Sequence, residues 1–480
     1  MKQTDWKIIY TKYEGITKKA IQLLSKEAGG LIIREPNVYS IYVLPCEKEG
    51  APISKNAFFV GCYNDSPLIQ KYVKEDELLE NGFLVKVIKN PADQDGRFVI
   101  LTANDEQNIF YAVVSFLDDY IFEHAPMYGS NHMADLIFDR PLPECSYTKA
   151  ADNKTRSIFT WGHSINSYHK YIDNMARLKF NEIIIWNDYI PINIVDIIDY
   201  AHSYGIKVIL GYSWGWREIG NKSLEITAEQ IDNVKRIAIN RFRDEYAHIP
   251  CDGIYFQSFT ERKQESVGGK LISRLVVDMV NDIANAIWEI KPDTRIIFGL
   301  HATSVKNRLD EIGRVDSRME IMWEDCGSFP YSYNSFVKDE EEYKETLRFT
   351  KEILELRGGV GVGLAFKGIM MLDWSKAVGQ HGPFIMGDNS ERIAEHDKLI
   401  RATAWRKYSA DWMCNGDRAK EMLDFIKANK LGDVNICIAG TLDGGMFLPF
   451  ALCGEMFYNC EESYNEILRR VSRRSCISFD

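Results

Sequence analysis

A chain of 480 residues is longer than one compact domain usually is, so two or three domains with their own cores are expected. Apolar and charged shares of 45% and 26% are ordinary for a soluble globular protein. The net charge of −11, with no basic run longer than Arg469-Arg470 or Arg473-Arg474, argues against nucleic acid binding, and no stretch approaches the roughly 20 apolar residues that span a bilayer.

The opening MKQTDWKIIYTKYEG lacks the apolar core of a signal peptide, and the ten Cys form no C-x-x-C pair. Both features predict a cytoplasmic protein with reduced, mostly buried thiols. Ile16 to Ala28 has the apolar spacing of a helix, and Gly29-Gly30 is expected to stop it. NVYSIYVL and AFFVGCY read as strands, the second leading into a turn at Asn64-Asp65-Ser66. GFLVKVI and RFVILTA form a hairpin across NPADQDG. Ile109, Val113, Leu117 and Ile121 then mark one face of a helix, for which Asn104 is the expected cap and Gln107 its reciprocal partner. Residues 1–140 are therefore expected to form a small α+β domain, and the polar, two-proline stretch at 141–156 a linker.

From there the rhythm changes to short apolar runs separated by amphipathic segments. RSIFTWGH, NEIIIWND, GIKVILGYSWGW, CDGIYFQSFTE, TRIIFGLHA, MEIMWEDCG and GVGVGLAFKGIMMLDW carry seven strands. β-branched runs alternating with helices imply parallel strands, and the lack of a Gly-rich dinucleotide loop favours a closed (β/α)8 TIM barrel over an open sheet. The barrel is placed at 157–450, with a C-terminal helix at 451–480 packing on it. NICIAGT is one candidate for the eighth strand.

Chemistry in such barrels collects at the carboxyl ends of the strands. Those ends carry Trp161 and His163, Trp186, Asn187 and Asp188, then Trp214, Trp216 and Arg217. They continue with Gln257 and Glu261, His301, Trp323, Glu324 and Asp325, and Asp373 with Trp374. Trp stands at five of the seven ends, where core packing would place aliphatics, and indole faces stack on sugar rings. Packing at the rim is the alternative for any single one. Glycosidic cleavage commonly needs two carboxyl groups on opposite sides of the bond. Glu261, among apolar neighbours Phe256 and Phe259, is suited to stay protonated as the acid, and Glu324 or Asp325 to act as base or nucleophile. The alternative is that these glutamates are solvated loop charges paired with Arg217 or Arg262. His163, His301 and His381 lie on separate loops without H-x-H or H-E-x-x-H spacing, so neither a metal nor another cofactor is expected.

RFVILTANDEQNIFYAVVSFLDDY resembles the end of the small domain that precedes the barrel in β-N-acetylhexosaminidases (glycoside hydrolase family 20) and α-glucuronidases (family 67). YIDNMARLKFNEIIIWND and IIDYAHSYGIKVILGY resemble the second and third barrel strands of the same families. At strand four the hexosaminidases carry an Asp-Glu pair whose Asp holds the acetamido group; this chain has Thr260-Glu261. The α-glucuronidases are similar to it there, with a single acid Glu matched by Glu261, and their strand-six Glu is matched by Glu324 in MEIMWEDCG. Their second acidic residue after strand five has no equivalent, since FGLHATS offers His301. LDWSKAVGQHG resembles their Asp-Trp-His loop, and Tyr458-Asn459-Cys460 stands where they have Trp-Asn-Pro.

The resemblance implies an exo-acting glycoside hydrolase on oligosaccharides, best matched to α-glucuronidase chemistry with inversion. Arg217 or Lys367 would then meet the sugar carboxylate. A hexosaminidase-like glycosidase, with Asp188 or Asp325 in the missing Asp role, and a carbohydrate-binding pseudoenzyme are the alternatives. The expected partner is an oligosaccharide; a homodimer is compatible with this reading.

Overall fold

The computed structural model describes residues 6–32, 43–121, 141–160, 165, 167–186, 190–215, 218–219, 225–259, 264–300, 307–326, 340–367, 409–410, 412–440 and 447–472. They pack as two units. One falls within Met1–Ala151 together with Ser203–Gly205 and Arg469–Ile477, and the other holds the remainder.

In the first unit the strands are β1 (Trp6–Tyr10), β2 (Cys46–Lys48), β3 (Asn56–Cys62), β4 (Gly82–Asn90), β5 (Asp93–Ala103) and β6 (Cys145–Ala150). They form one mixed sheet in the order β2-β1-β3-β5-β4-β6. Ile9, Phe59, Phe98 and Ile100 pack into a single core with Leu68 and Val73. The hairpin β4-β5 is present with longer arms than expected. NVYSIYVL lies largely outside the described residues.

Three expectations need correction. The first helix runs from Gly15 to Ile32, straight through Gly29-Gly30. Ala20, Ile21, Leu24 and Ala28 bury a continuous stripe, and that burial outweighs the roughly 1 kcal/mol that a helical Gly costs. The helix Glu106–Ser115 is capped by Asp105, not Asn104; the Asp105 carboxylate accepts the Asn108 N–H at 2.8 Å. The stretch 141–156, expected to be a linker, contains β6, paired antiparallel with β4 from Gly82↔Ala150 to Val87↔Cys145. An edge strand with one partner and a wetted face needs no apolar run, so CSYTKA read as loop.

The second unit is the expected barrel. Its strands are β7 (Arg156–Phe159), β8 (Glu182–Trp186), β9 (Lys207–Gly211), β10 (Gly253–Gln257), β13 (Arg295–Leu300), β14 (Glu320–Cys326), β15 (Val362–Lys367) and β16 (Val434–Ala439). A two-stranded hairpin, β11 (Ser266–Val267) and β12 (Lys270–Leu271), lies between β10 and β13 in the chain. All eight barrel pairings are parallel, and β16 closes the ring on β7 from Ile436↔Arg156 to Ala439↔Phe159. NICIAGT thus carries the eighth strand. Helices separate the strands, among them Tyr168–Arg177, capped by Ser167, and Ala228–Arg241, where Thr227 and Gln230 cap reciprocally.

Strand alternation fills the interior in tiers. Phe159, Ile184, Ile209, Tyr255, Ile297, Met322, Ala365 and Cys437 make the middle. Below them, at the amino ends, lies a polar floor. Arg295 bonds Glu182 through Nη1 and Glu320 through Nε at 3.2 Å. The Ser157 hydroxyl and the Asn435 amide reach Glu182 at 2.7 and 3.0 Å.

The chain enters the barrel at Asp152, whose carboxylate meets Lys427 Nζ at 2.7 Å and accepts the Cys460 N–H at 2.9 Å. Burial opposes its ionisation, but these hydrogen bonds outweigh burial and hold the carboxyl below its ordinary range. A depressed acid stabilises the fold above its unfolded pKa and loses that contribution as pH falls through its folded value. The thermal midpoints of the parent and Asp152→Asn should therefore converge as pH drops from about 7 to about 3, and a constant difference would exclude this linkage.

Candidate functional site

The carboxyl half of β14 sets the geometry. Glu320, Met322 and Glu324 alternate toward the barrel interior, while Trp323 packs against a helix. Glu324 is completely buried. Its Oε1 accepts the Tyr255 hydroxyl, and the Gln257 side-chain amide lies 2.7 Å from Oε1 and 2.8 Å from Oε2. Tyr255 and Gln257 stand two apart on β10 and so project to the same side.

Burial pushes the Tyr255 phenol well above its ordinary pKa, and the charge and hydrogen bond of Glu324 raise it further. The phenol therefore stays protonated and donates. Donors of this kind favour the charged form of a carboxylate, against the opposing effect of its burial.

Between these strands, β13 supplies Gly299, opposite Gln257 in the ladder. A Cβ there would collide with Tyr255 Oη and Glu324 Oε1, so this contact requires a residue without a side chain. Trp186 is half-buried beside it, edge-on to Tyr255 at 5.7 Å and to Phe159 at 6.4 Å between ring centroids. Gly211 lets the ring sit down, since a Cβ on it would come within 2.5 Å of the indole. Gln257 is legible in the sequence as a strand-end residue, whereas Tyr255 and Gly299 are not. Period-two alternation from Gly253 through Tyr255 to Gln257 is the signal that points to the tyrosine.

Two expected platform rings belong to the packing instead. Trp214 is fully buried and stacks on Phe256 at 3.6 Å, which in turn stacks on Phe298. Trp323, 2% exposed, packs edge-on against Phe349 of the helix Glu340–Glu355. Each lies among the residues that face outward from the strands, so neither offers a free face to a ligand. Asp325 lies in β14, but its side chain is outside the described set, as is that of Lys367. Glu261, Trp161, His163, Asp188, Trp216, Arg217, His301, Asp373 and Trp374 also lie outside the described residues. Among the described residues no cluster of three His, Cys, Asp or Glu side chains could hold a metal. None of the described helices is long and apolar enough to cross a membrane.

No family model and no curated protein matches this chain. Solved structures do. That of CpGH84B aligns with a TM-score of 0.52 at 10% identity, over 98% of this chain and 71% of that one. BtGH115A, a family GH115 4-O-methyl-α-glucuronidase with specificity for decorated arabinogalactans, aligns at 0.49 and 12% identity, over 98% of this chain and 59% of its own. A family 89 glycoside hydrolase from Clostridium perfringens aligns at 0.44 and 11%, over 88% and 48%. At such identities the likeness is one of fold.

Proposed function

We propose that this chain is a glycoside hydrolase in which Glu324 is the anionic carboxylate and Glu261 the acid. The observation that carries this reading is Glu324 itself: a fully buried carboxylate at the carboxyl half of a barrel strand, fixed by a phenol and an amide. At the amino ends of this barrel the carboxylates Glu182 and Glu320 are paired with Arg295, whereas the carboxyl end is where barrel enzymes keep their chemistry. Glu261 follows four residues after the last residue of β10, the strand that also supplies Tyr255 and Gln257.

The substrate this reading favours is an oligosaccharide ending in an α-linked glucuronic acid. Thr260 beside Glu261 disfavours catalysis through an acetamido group, and Glu324 matches the strand-six glutamate of the α-glucuronidase resemblance. Arg217 or Lys367 would pair with the sugar carboxylate. Trp186 supplies an aromatic face for the ring.

The test is a hydrolysis screen on aryl glycosides and acidic xylo-oligosaccharides, with Glu261→Gln beside the parent. Loss of a general acid is expected to reduce kcat by about 10²–10⁴-fold on natural linkages. The loss should be much smaller on aryl glycosides whose leaving group needs no proton. A parent that cleaves glycosides while Glu261→Gln keeps full activity would remove Glu261 from this role. Cleavage of aryl hexosaminides with none of glucuronides would move the substrate assignment instead.

A further inference from the structure

We propose that Tyr255 and Gly299 form a positioning pair for Glu324, the phenol donating to the carboxylate and aiming it, the bare α-carbon leaving the space in which they meet. The kinetic consequences rest on the glycosidase reading; the geometry does not.

Three strands contribute. Tyr255 rises from the middle of β10 into the barrel, completely buried, with its ring against Phe159 at 4.7 Å and Trp186 at 5.7 Å. Those two rings fix where the hydroxyl points. A hydroxyl enclosed in that way must find a hydrogen-bond partner, and here it finds Glu324 of β14 across the intervening β13. Gly299 is the β13 residue at that crossing, and any side chain on it would displace both the phenol and the carboxylate. Gln257 adds the second donor group.

Tyr255 touches the carboxylate rather than the mouth of the barrel, so its part is positioning. A hydrogen bond to the charged form favours that form, so the phenol contributes both to the direction of Glu324 and to the pH at which it ionises. Among the described residues, the other titratable groups of the interior are Cys437, whose thiol burial holds well above its ordinary range, and the floor carboxylates Glu182 and Glu320, tied to Arg295. None of these donates to Glu324.

The experiment uses the full chain with Tyr255→Phe, which keeps the ring, and Gly299→Ala. Tyr255→Phe is expected to lower kcat about 10–100-fold, as for one lost hydrogen bond to a charged group, with KM nearly unchanged. The acid limb of kcat/KM should move to higher pH by about one unit, because the carboxylate loses a donor that favoured its charge. Gly299→Ala should lower kcat at least as far, and combining the two should do no more than Gly299→Ala alone. Carboxyl-carbon NMR of glutamate-labelled protein gives a readout independent of turnover: the resonance lost in Glu324→Gln should titrate higher in Tyr255→Phe than in the parent. If that resonance and the acid limb stay where they were while only thermal stability falls, the phenol is merely structural and the proposal fails. If the resonance shifts in a parent that cleaves no glycoside, the positioning stands and the glycosidase reading falls.

Discussion

Replacing Glu324 with Gln should abolish most turnover, lowering kcat by about 10²–10⁴-fold while leaving the fold intact. The side chain keeps its shape. Its amide oxygen can still accept the Tyr255 hydroxyl, and Gln257 can turn its carbonyl toward the new amide hydrogens. What disappears is the negative charge at the point where a glycosyl cation would develop or a water would be deprotonated. Removing a buried anion also removes its desolvation penalty, so the thermal midpoint should not fall by more than a few degrees. Glu324→Ala separates charge from structure further. Formate or azide added to it can occupy the vacated space beside Tyr255 and Gln257 and should restore part of the activity. Nuclear magnetic resonance of the first-formed product reports the anomer. Activity of Glu324→Gln equal to the parent would place the reacting carboxylate elsewhere, with Asp325 the next candidate.

The largest stability effect is expected at the opposite end of the barrel. Arg295→Met should destabilise the fold by about 3–5 kcal/mol in urea unfolding, because Glu182 and Glu320 lose the cation they share. Glu182 is completely buried and, among the described residues, keeps the Ser157 hydroxyl and the Asn435 amide. A buried carboxylate without its cation has a raised pKa, so its penalty is absent below the unfolded pKa and grows as pH rises toward the folded value. The deficit of Arg295→Met should therefore be greatest near neutrality and narrow on acidification. Adding Glu182→Gln and Glu320→Gln to Arg295→Met should recover much of the loss. If the triple variant is no better than Arg295→Met, packing of the arginine stem rather than charge explains the cost.

Much of the barrel was legible because each strand is a short apolar run buried on both sides, as in EIIIW and RIIFGL. The strand β6 was not, since Cys145–Ala150 has one neighbour and a half-exposed pattern that polar residues satisfy equally well. The site divides in the same way. Glu324 stands out in the sequence as a carboxylate at a strand end, and the structure places it, buried, against Tyr255 and Gln257. Trp323 carries the same strand-end signal, yet alternation turns adjacent residues to opposite faces. Tyr255 is the reverse case: inside an apolar strand it looks like core, and only its partner two strands away gives it a role. Gly299 carries no side chain to notice. What it does is visible only when the atoms of β10 and β14 occupy the volume beside it.

That shared volume has a consequence for how such a sequence can drift. Positions 255 and 299 draw on one space, so they are not free to change independently. Alanine at 299 displaces the tyrosine hydroxyl and the carboxylate together, whereas a shorter residue at 255 relieves only the first of these collisions and leaves the carboxylate without its phenol. Among relatives of this chain, glycine at 299 should accompany tyrosine at 255, and lineages that abandon one should abandon the other. A substitution pair of that kind would mark the point at which a barrel of this descent gives up holding its charged carboxylate and keeps only the fold.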